Sequence, residues 1–268
     1  MTTVDITTTA GIVRGRWRGP ASAAFLGIPF AEPPVGELRY AAPVPHHAWH
    51  GVREAFEYGP TAQRRQLMAV TTIPEPSLPG DSTLNVSVFT PSPGPTAKLP
   101  VLVYIHGGGY TAGSPASPWY DGAAFNRDGV VTVTISYRLG FDGFGLIDDA
   151  PANRAVRDWL LALRWVQDNI ASFGGDPGNV TIAGQSAGGA AVLTLLGTPA
   201  ARGLFRRGFA LSGVDAVIRP DRAREITARM ARLAGVLPTL DGFRSLDEAT
   251  VLDLQDRVAG FGATPDSN

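Results

Sequence analysis

The chain has 268 residues and a formal net charge of −1, so it carries neither the basic field that gathers nucleic acid nor a strong acidic surplus. Apolar residues make up 44% of it and charged residues 18%, a balance that excludes a disordered chain and allows a sizeable core. Cysteine is absent, which rules out disulfides and a thiolate nucleophile and removes any need for an oxidising compartment.

Residues 1–10 are polar and rich in threonine, without the charged start and apolar run of a secretory signal. The longest apolar runs, such as 101–105, are far shorter than a membrane span. The expectation is a cytoplasmic protein with no membrane contact. Residues 4–6 and 11–16 predict an opening hairpin, and Pro29, Pro33, Pro34, Pro43 and Pro45 then punctuate a loop-rich stretch. Residues 66–79 read as surface loop. From residue 85 the pattern becomes regular, with strands predicted over 85–90, 100–105, 129–136, 179–184 and 207–211. The runs PVLVYI and GVVTVTIS are continuous and apolar, as strands of a parallel sheet buried on both faces are.

Residues 153–173 predict a helix. Val156, Trp159, Leu160, Leu163, Val166, Ile170 and Phe173 recur at steps of three and four and form one apolar stripe. A second helix follows Ser186 and stops at Gly197 and Pro199. A third is expected from near Asp221 to Gly235, with Ile226, Met230 and Leu233 inward. The last is expected to start at Ser245, where Ser245 and Glu248 have capping-box spacing, and to end near Gly260. Strands alternating with helices predict an α/β fold whose central sheet is mostly parallel and flanked by helices.

The most informative stretch is Gly184-Gln185-Ser186-Ala187-Gly188, a G-x-S-x-G sequence between a predicted strand and a predicted helix. At such a bend the serine hydroxyl is lifted above the sheet edge, and glycines two residues to either side remove the side chains that would collide. Ala187 then opens the helix with an amide that no helical carbonyl can satisfy, aimed where negative charge develops. The pentapeptide alone also describes an idle tight turn; its flanking elements favour the nucleophile. Upstream, directly after PVLVYI, lies His106-Gly107-Gly108-Gly109-Tyr110. A side-chain-free backbone there can approach a substrate carbonyl oxygen, so Gly108 and Gly109 are expected to complete an oxyanion hole with Ala187. His106 is read as a structural residue hydrogen-bonded to backbone, not as a base. His46, His47 and His50 sit in the segment PVPHHAWHG and are read as surface or structural side chains.

These motifs, together with FLGIPFAEPPVGELRYAAP (residues 25–43), YRLG (137–140) and ALRWVQDNIASFGGDPGNVT (162–181), resemble the type-B carboxylesterases, over residues 11 to about 213. The resemblance implies an α/β-hydrolase fold, no metal or organic cofactor, and hydrolysis of small carboxylic esters through an acyl-enzyme on Ser186. It also implies two structural ion pairs, Arg39 with Asp81 and Arg138 with Asp158. Two departures stand out. Asp81-Ser82-Thr83-Leu84 lies where such proteins often carry a cysteine, and Gln185 replaces the glutamate that usually precedes the nucleophile.

A serine nucleophile needs a base, and the base an orienting acid. In α/β-hydrolases both follow the serine in the chain. Here all four histidines precede Ser186. The expectation is therefore the N-terminal part of a single domain, without its last strands. Residues 1–98 hold the first strands and loops, 99–213 the sheet core with glycine loop and elbow, and 214–268 helices. The acid and histidine would come from outside this sequence, on the rest of a longer enzyme or on a complementing C-terminal polypeptide. The alternative is a non-catalytic truncated product, or a protein-interaction module on the same fold.

Overall fold

The computed structural model describes residues 2–62, 64–214 and 217–258. Nine strands form one sheet among them: β1 (Thr3–Thr7), β2 (Ile12–Trp17), β3 (Ala23–Pro29), β4 (Val52–Glu54), β5 (Asn85–Thr90), β6 (Leu99–Ile105), β7 (Val131–Ile135), β8 (Gly175–Gln185) and β9 (Arg207–Leu211). The helices are α1 (Ala123–Arg127), α2 (Gly140–Phe144), α3 (Arg154–Asn169), α4 (Ala187–Leu196), α5 (Pro220–Ala234), α6 (Leu240–Arg244) and α7 (Glu248–Arg257).

The sheet runs β1-β2-β3-β5-β7-β6-β8-β9, with β4 paired beside β2. Its first half is antiparallel, from the β1–β2 hairpin (Thr3 opposite Arg16) through β5–β7. The half that carries the motifs, β7-β6-β8-β9, is parallel. The α/β-hydrolase architecture is thus as expected; before residue 99 the only parallel pairing among the described residues is the short one of β4 with β2. Every residue of β5 and β7 is buried, which explains why their sequences are apolar, Thr or Ser, apart from Asn85 whose amide donates to the Pro60 and Ser82 carbonyls, without a solvent-facing alternation.

The α3 stripe packs as its spacing predicts: Trp159, Leu163, Val166, Ile170 and Phe173 are buried in the main core, and Val156 and Leu160 pack against it. The helix tightens into a 3₁₀ turn over Ile170–Phe173 and is closed by Gly174 at φ 87°. The same helix buries Arg154 and Asp158, which the apolar stripe does not announce. Asp158 grips Arg138 through two side-chain bonds of 2.9 and 2.7 Å, takes the Arg138 amide at 3.0 Å, and Arg138 reaches the Ala41 carbonyl at 2.7 Å. Arg154 is wholly buried and donates to the carbonyls of Asp142, Pro151, Phe141 and Gly145. Desolvation lowers its pKa to about 10, still leaving it charged at neutral pH.

The other expected ion pair is not made. Arg39 pairs with Asp142, Nε to Oδ2 at 3.2 Å, while Asp81 is exposed. The reason is α2, which brings Asp142 to the Arg39 guanidinium as Leu246 O caps its far side at 2.5 Å.

A second core joins Tyr40, Phe141 and Ile147 to Ile226 and Met230 of α5, Phe243 of α6, and Val251 and Leu254 of α7. Leu233, expected inward, is 39% exposed; the buried face of α5 is completed by Thr227 and Ala231 instead. The capping box at Ser245 is also overturned. Residues 240–244 form their own turn, capped by Thr239 and held by Phe243 between Tyr40 and Phe141, so Ser245 ends α6. Asp247 caps α7 by accepting from the Thr250 amide at 2.7 Å. The expected end near Gly260 lies outside the described residues.

Candidate active site

Strand β8 ends at Gln185 and α4 begins at Ala187, leaving Ser186 alone at the bend with φ 56° and ψ −122°. Non-glycine residues adopt such a backbone only where the surroundings enforce it. The enforcement is visible on both sides. The Ser186 amide donates to the Leu211 carbonyl of β9 at 2.9 Å, and its carbonyl accepts from Ala190 at 2.9 Å, starting the helix. A side chain on Gly188 would begin 2.0 Å from the Ile105 carbonyl oxygen, and one on Gly184 would begin 2.4 Å from the Gly188 backbone. The two glycines of the pentapeptide therefore let α4 seat directly on the ends of β6 and β8.

The glycine loop leaves the neighbouring strand β6 and lies against this bend. A Cβ on Gly107 would stand 3.4 Å from the Ser186 Cβ and 2.7 Å from the Gln185 carbonyl oxygen. The loop then doubles back: Gly108, at φ 110°, accepts from Thr111 and Ala112 at 3.1 and 2.9 Å, and Gly109 has φ 60°. The amides of Gly108, Gly109 and Ala187 donate to no partner among the described residues. Ala187 itself is buried behind Ser186 at the first position of α4.

Ser186, Gln185, Gly107 and Gly108 border a cleft of about 210 Å³. Its opposite wall is the segment from Leu67 to Glu75, and Tyr120 stands at its side. Neither Gly109 nor Ala187 borders this cleft directly; a Cβ on Gly109 would stand 3.5 Å from the Leu67 side chain. Burial, with Tyr104 and Glu75 nearby, raises the Tyr120 pKa, so the phenol stays neutral at physiological pH. The loop wall is what the sequence reading missed. Residues 66–79 are indeed a surface loop, but nothing in their composition says what they lie over. A larger cavity of about 340 Å³, between residues 34–39 and α7, has neither Ser186 nor Gly108 in its lining.

His106 sits at the root of the glycine loop, 2% exposed, with Nδ1 2.8 Å from the Gly107 carbonyl oxygen and its ring stacked on Tyr137 at 4.4 Å. The Tyr137 hydroxyl donates to the His106 carbonyl at 2.8 Å. Desolvation lowers the imidazole pKa to about 4. It is the backbone-bonded structural residue expected. His47 is held by Glu32 at 2.7 Å, and His46 packs edge-on against Trp49. No histidine borders the Ser186 cleft among the described residues. No group of three His, Cys, Asp or Glu side chains among them is placed to hold a metal.

The profile of the Carboxylesterase family matches residues 2–260. The para-nitrobenzyl esterase of Bacillus subtilis (strain 168) is 38% identical, covering 96% of this chain and 54% of its own length. Carboxylesterase 1D of Mus musculus is 39% identical over 86% of this chain and 42% of its own. A Geobacillus stearothermophilus carboxylesterase structure superposes with a TM-score of 0.85 at 38% identity, over 96% of this chain and 55% of that one. The chain thus spans about half the length of these relatives. With the elbow, the glycine loop and the sheet order in place, the match over nearly all of its residues shows that the chain belongs to the carboxylesterase family.

Proposed function

We propose that this chain supplies the nucleophile-bearing part of a serine carboxylesterase acting on a small-molecule ester. The Ser186 hydroxyl oxygen bonds to the ester carbonyl carbon as its proton passes to a histidine. The carbonyl oxygen becomes an oxyanion facing the amides of Gly108, Gly109 and Ala187, each donor contributing about 2.7–4 kcal/mol at the transition state. Collapse breaks the bond to the alcohol, which leaves with the histidine's proton, and water then cleaves the acyl-enzyme by the same steps. The histidine and its orienting acid lie outside these 268 residues, in the part of such relatives that the chain does not span, whether on a longer chain or on a complementing C-terminal polypeptide. No metal or organic cofactor takes part. We treat residues 1–268 as part of one domain, divided at 98/99 and 213/214 only by role, and place it in the cytoplasm, which suits a chain without cysteine.

The observation that carries this reading is the Ser186 backbone, held at φ 56° beside a cleft that it shares with Gly108. The test is labelling by a fluorophosphonate, read by intact mass and peptide mapping, on the chain alone and with a polypeptide from the uncovered half of a relative. We expect one label per chain on Ser186 when the histidine is supplied, and none in Ser186→Ala. A second reading, a non-catalytic interaction module, draws on the absence of any histidine from 187 to 268. Absence of label in both preparations would select it.

A further inference from the structure

The wall facing Ser186 is tied to a distant part of the chain. Thr61 and Leu78 close the neck of the loop, with the Thr61 amide donating to Leu78 O at 3.1 Å and the Leu78 amide to the Thr61 hydroxyl at 2.9 Å. Two consecutive arginines follow on one side of that neck, and both reach α7. Arg64 pairs with Glu248 at 3.1 Å while also donating to the Thr61 carbonyl. Arg65 spans two carboxylates one helical turn apart, Asp253 at 2.5 Å and Asp256. The pairing with Asp253, then Asp256, raises the Arg65 pKa. Two residues further on, Leu67 lies over Gly109 and begins the cleft wall. The contact is not a core contact: α7 meets its own core through Val251 and Leu254, on its other face.

We propose that Arg65 is a positioning residue for the Ser186 cleft, holding the 67–75 wall against the glycine loop through Asp253 and Asp256 and so limiting the bulk of ester that the cleft admits. The inference rests on Ser186 being the reactive group. Exposed ion pairs are individually weak and are screened by salt, so the strap biases the wall and does not lock it. Two such pairs acting together correspond to an effect of about two- to tenfold on local opening.

The experiment has two arms, both on the 268-residue chain. Hydrogen exchange of residues 66–75 at low ionic strength should speed up by about two- to tenfold in Arg65→Ala. Exchange in β6 and α3 should stay the same, Arg65→Lys should retain most of the protection, and R65E combined with D253R and D256R should restore it. High salt should speed exchange more in the wild type than in Arg65→Ala, where only the Arg64–Glu248 pair is left to screen. In the second arm, with the complementing polypeptide present, the rate of Ser186 labelling by a bulky fluorophosphonate relative to a small one should rise in Arg65→Ala. Unchanged loop exchange, or an equal rise in β6 and α3, would overturn the strap. So would an unchanged bulk preference in protein that does label. Failure of every variant to label, with the loop exchange responding as described, would instead overturn the role of Ser186 and leave the strap in place.

Discussion

His106 shows how one buried residue can look catalytic and act structurally. It stands one residue before the glycine loop, yet burial holds it neutral, with its pKa lowered from 6.5 to about 4. An imidazole that protonates at about 6.5 when unfolded and about 4 when folded stabilises the fold fully above pH 6.5, and that contribution is lost as pH falls toward 4. The drop is on the order of 3 kcal/mol by linkage. Chemical denaturation from pH 7 to 4 should show this slope, and His106→Gln should flatten it. A slope unchanged in the variant would mean that other groups carry it. Arg138 and Asp158 are the matching case for charge: buried, doubly bonded to each other and to backbone, and not among the residues that border the Ser186 cleft. The names and spacing of the histidines were legible at the outset, and so was the absence of one after Ser186. The burial of Arg154 and the Arg39–Asp142 pair were not, because each depends on which carbonyls and carboxylates the fold gathers around a guanidinium.

At the scale of elements, the strand-turn-helix unit works because α4 sits closer to β6 than any side chain at position 188 allows. Gly188→Ala would place a methyl 2.0 Å from the Ile105 carbonyl oxygen, so the helix must shift. Overpacking of this kind costs about 1–3 kcal/mol. Gly188→Ala should therefore lower the denaturant midpoint, and a wild-type midpoint would show that the helix can slide without cost. The strands and the long helix were readable from periodicity alone, since their burial is a property of alternating or stacked side chains within one segment. The α6–α7 boundary was not. Ser245 and Glu248 satisfy a local rule, but Phe243 is claimed by Tyr40 and Phe141, residues some two hundred and one hundred positions earlier, and that packing decides where the turn closes.

For the molecule as a whole, the sheet ends at β9, whose other edge pairs with no strand among the described residues. All five of its residues are exposed. Phe209 is 57% exposed and Leu211 39%, and Leu193 and Leu196 of α4 are open to solvent as well. An open parallel edge with apolar side chains favours self-association. Light scattering of the chain should rise with concentration, and Phe209→Glu should suppress the rise; scattering that is the same in both would show that this face is not the contact. Among the described residues no helix is long and apolar enough to cross a membrane.

By itself the sequence determined the family, the run of strands and helices, and the bend with its serine, because these rest on local spacing and on glycines where only a bare backbone can pass. Only the tertiary structure decided what faces that serine. The loop beginning at Leu67 becomes a cleft wall, Leu67 comes beside Gly109, and Arg65 pairs with α7. Contacts between segments nearly two hundred residues apart follow from the path of the whole chain, which no short pattern of residues encodes.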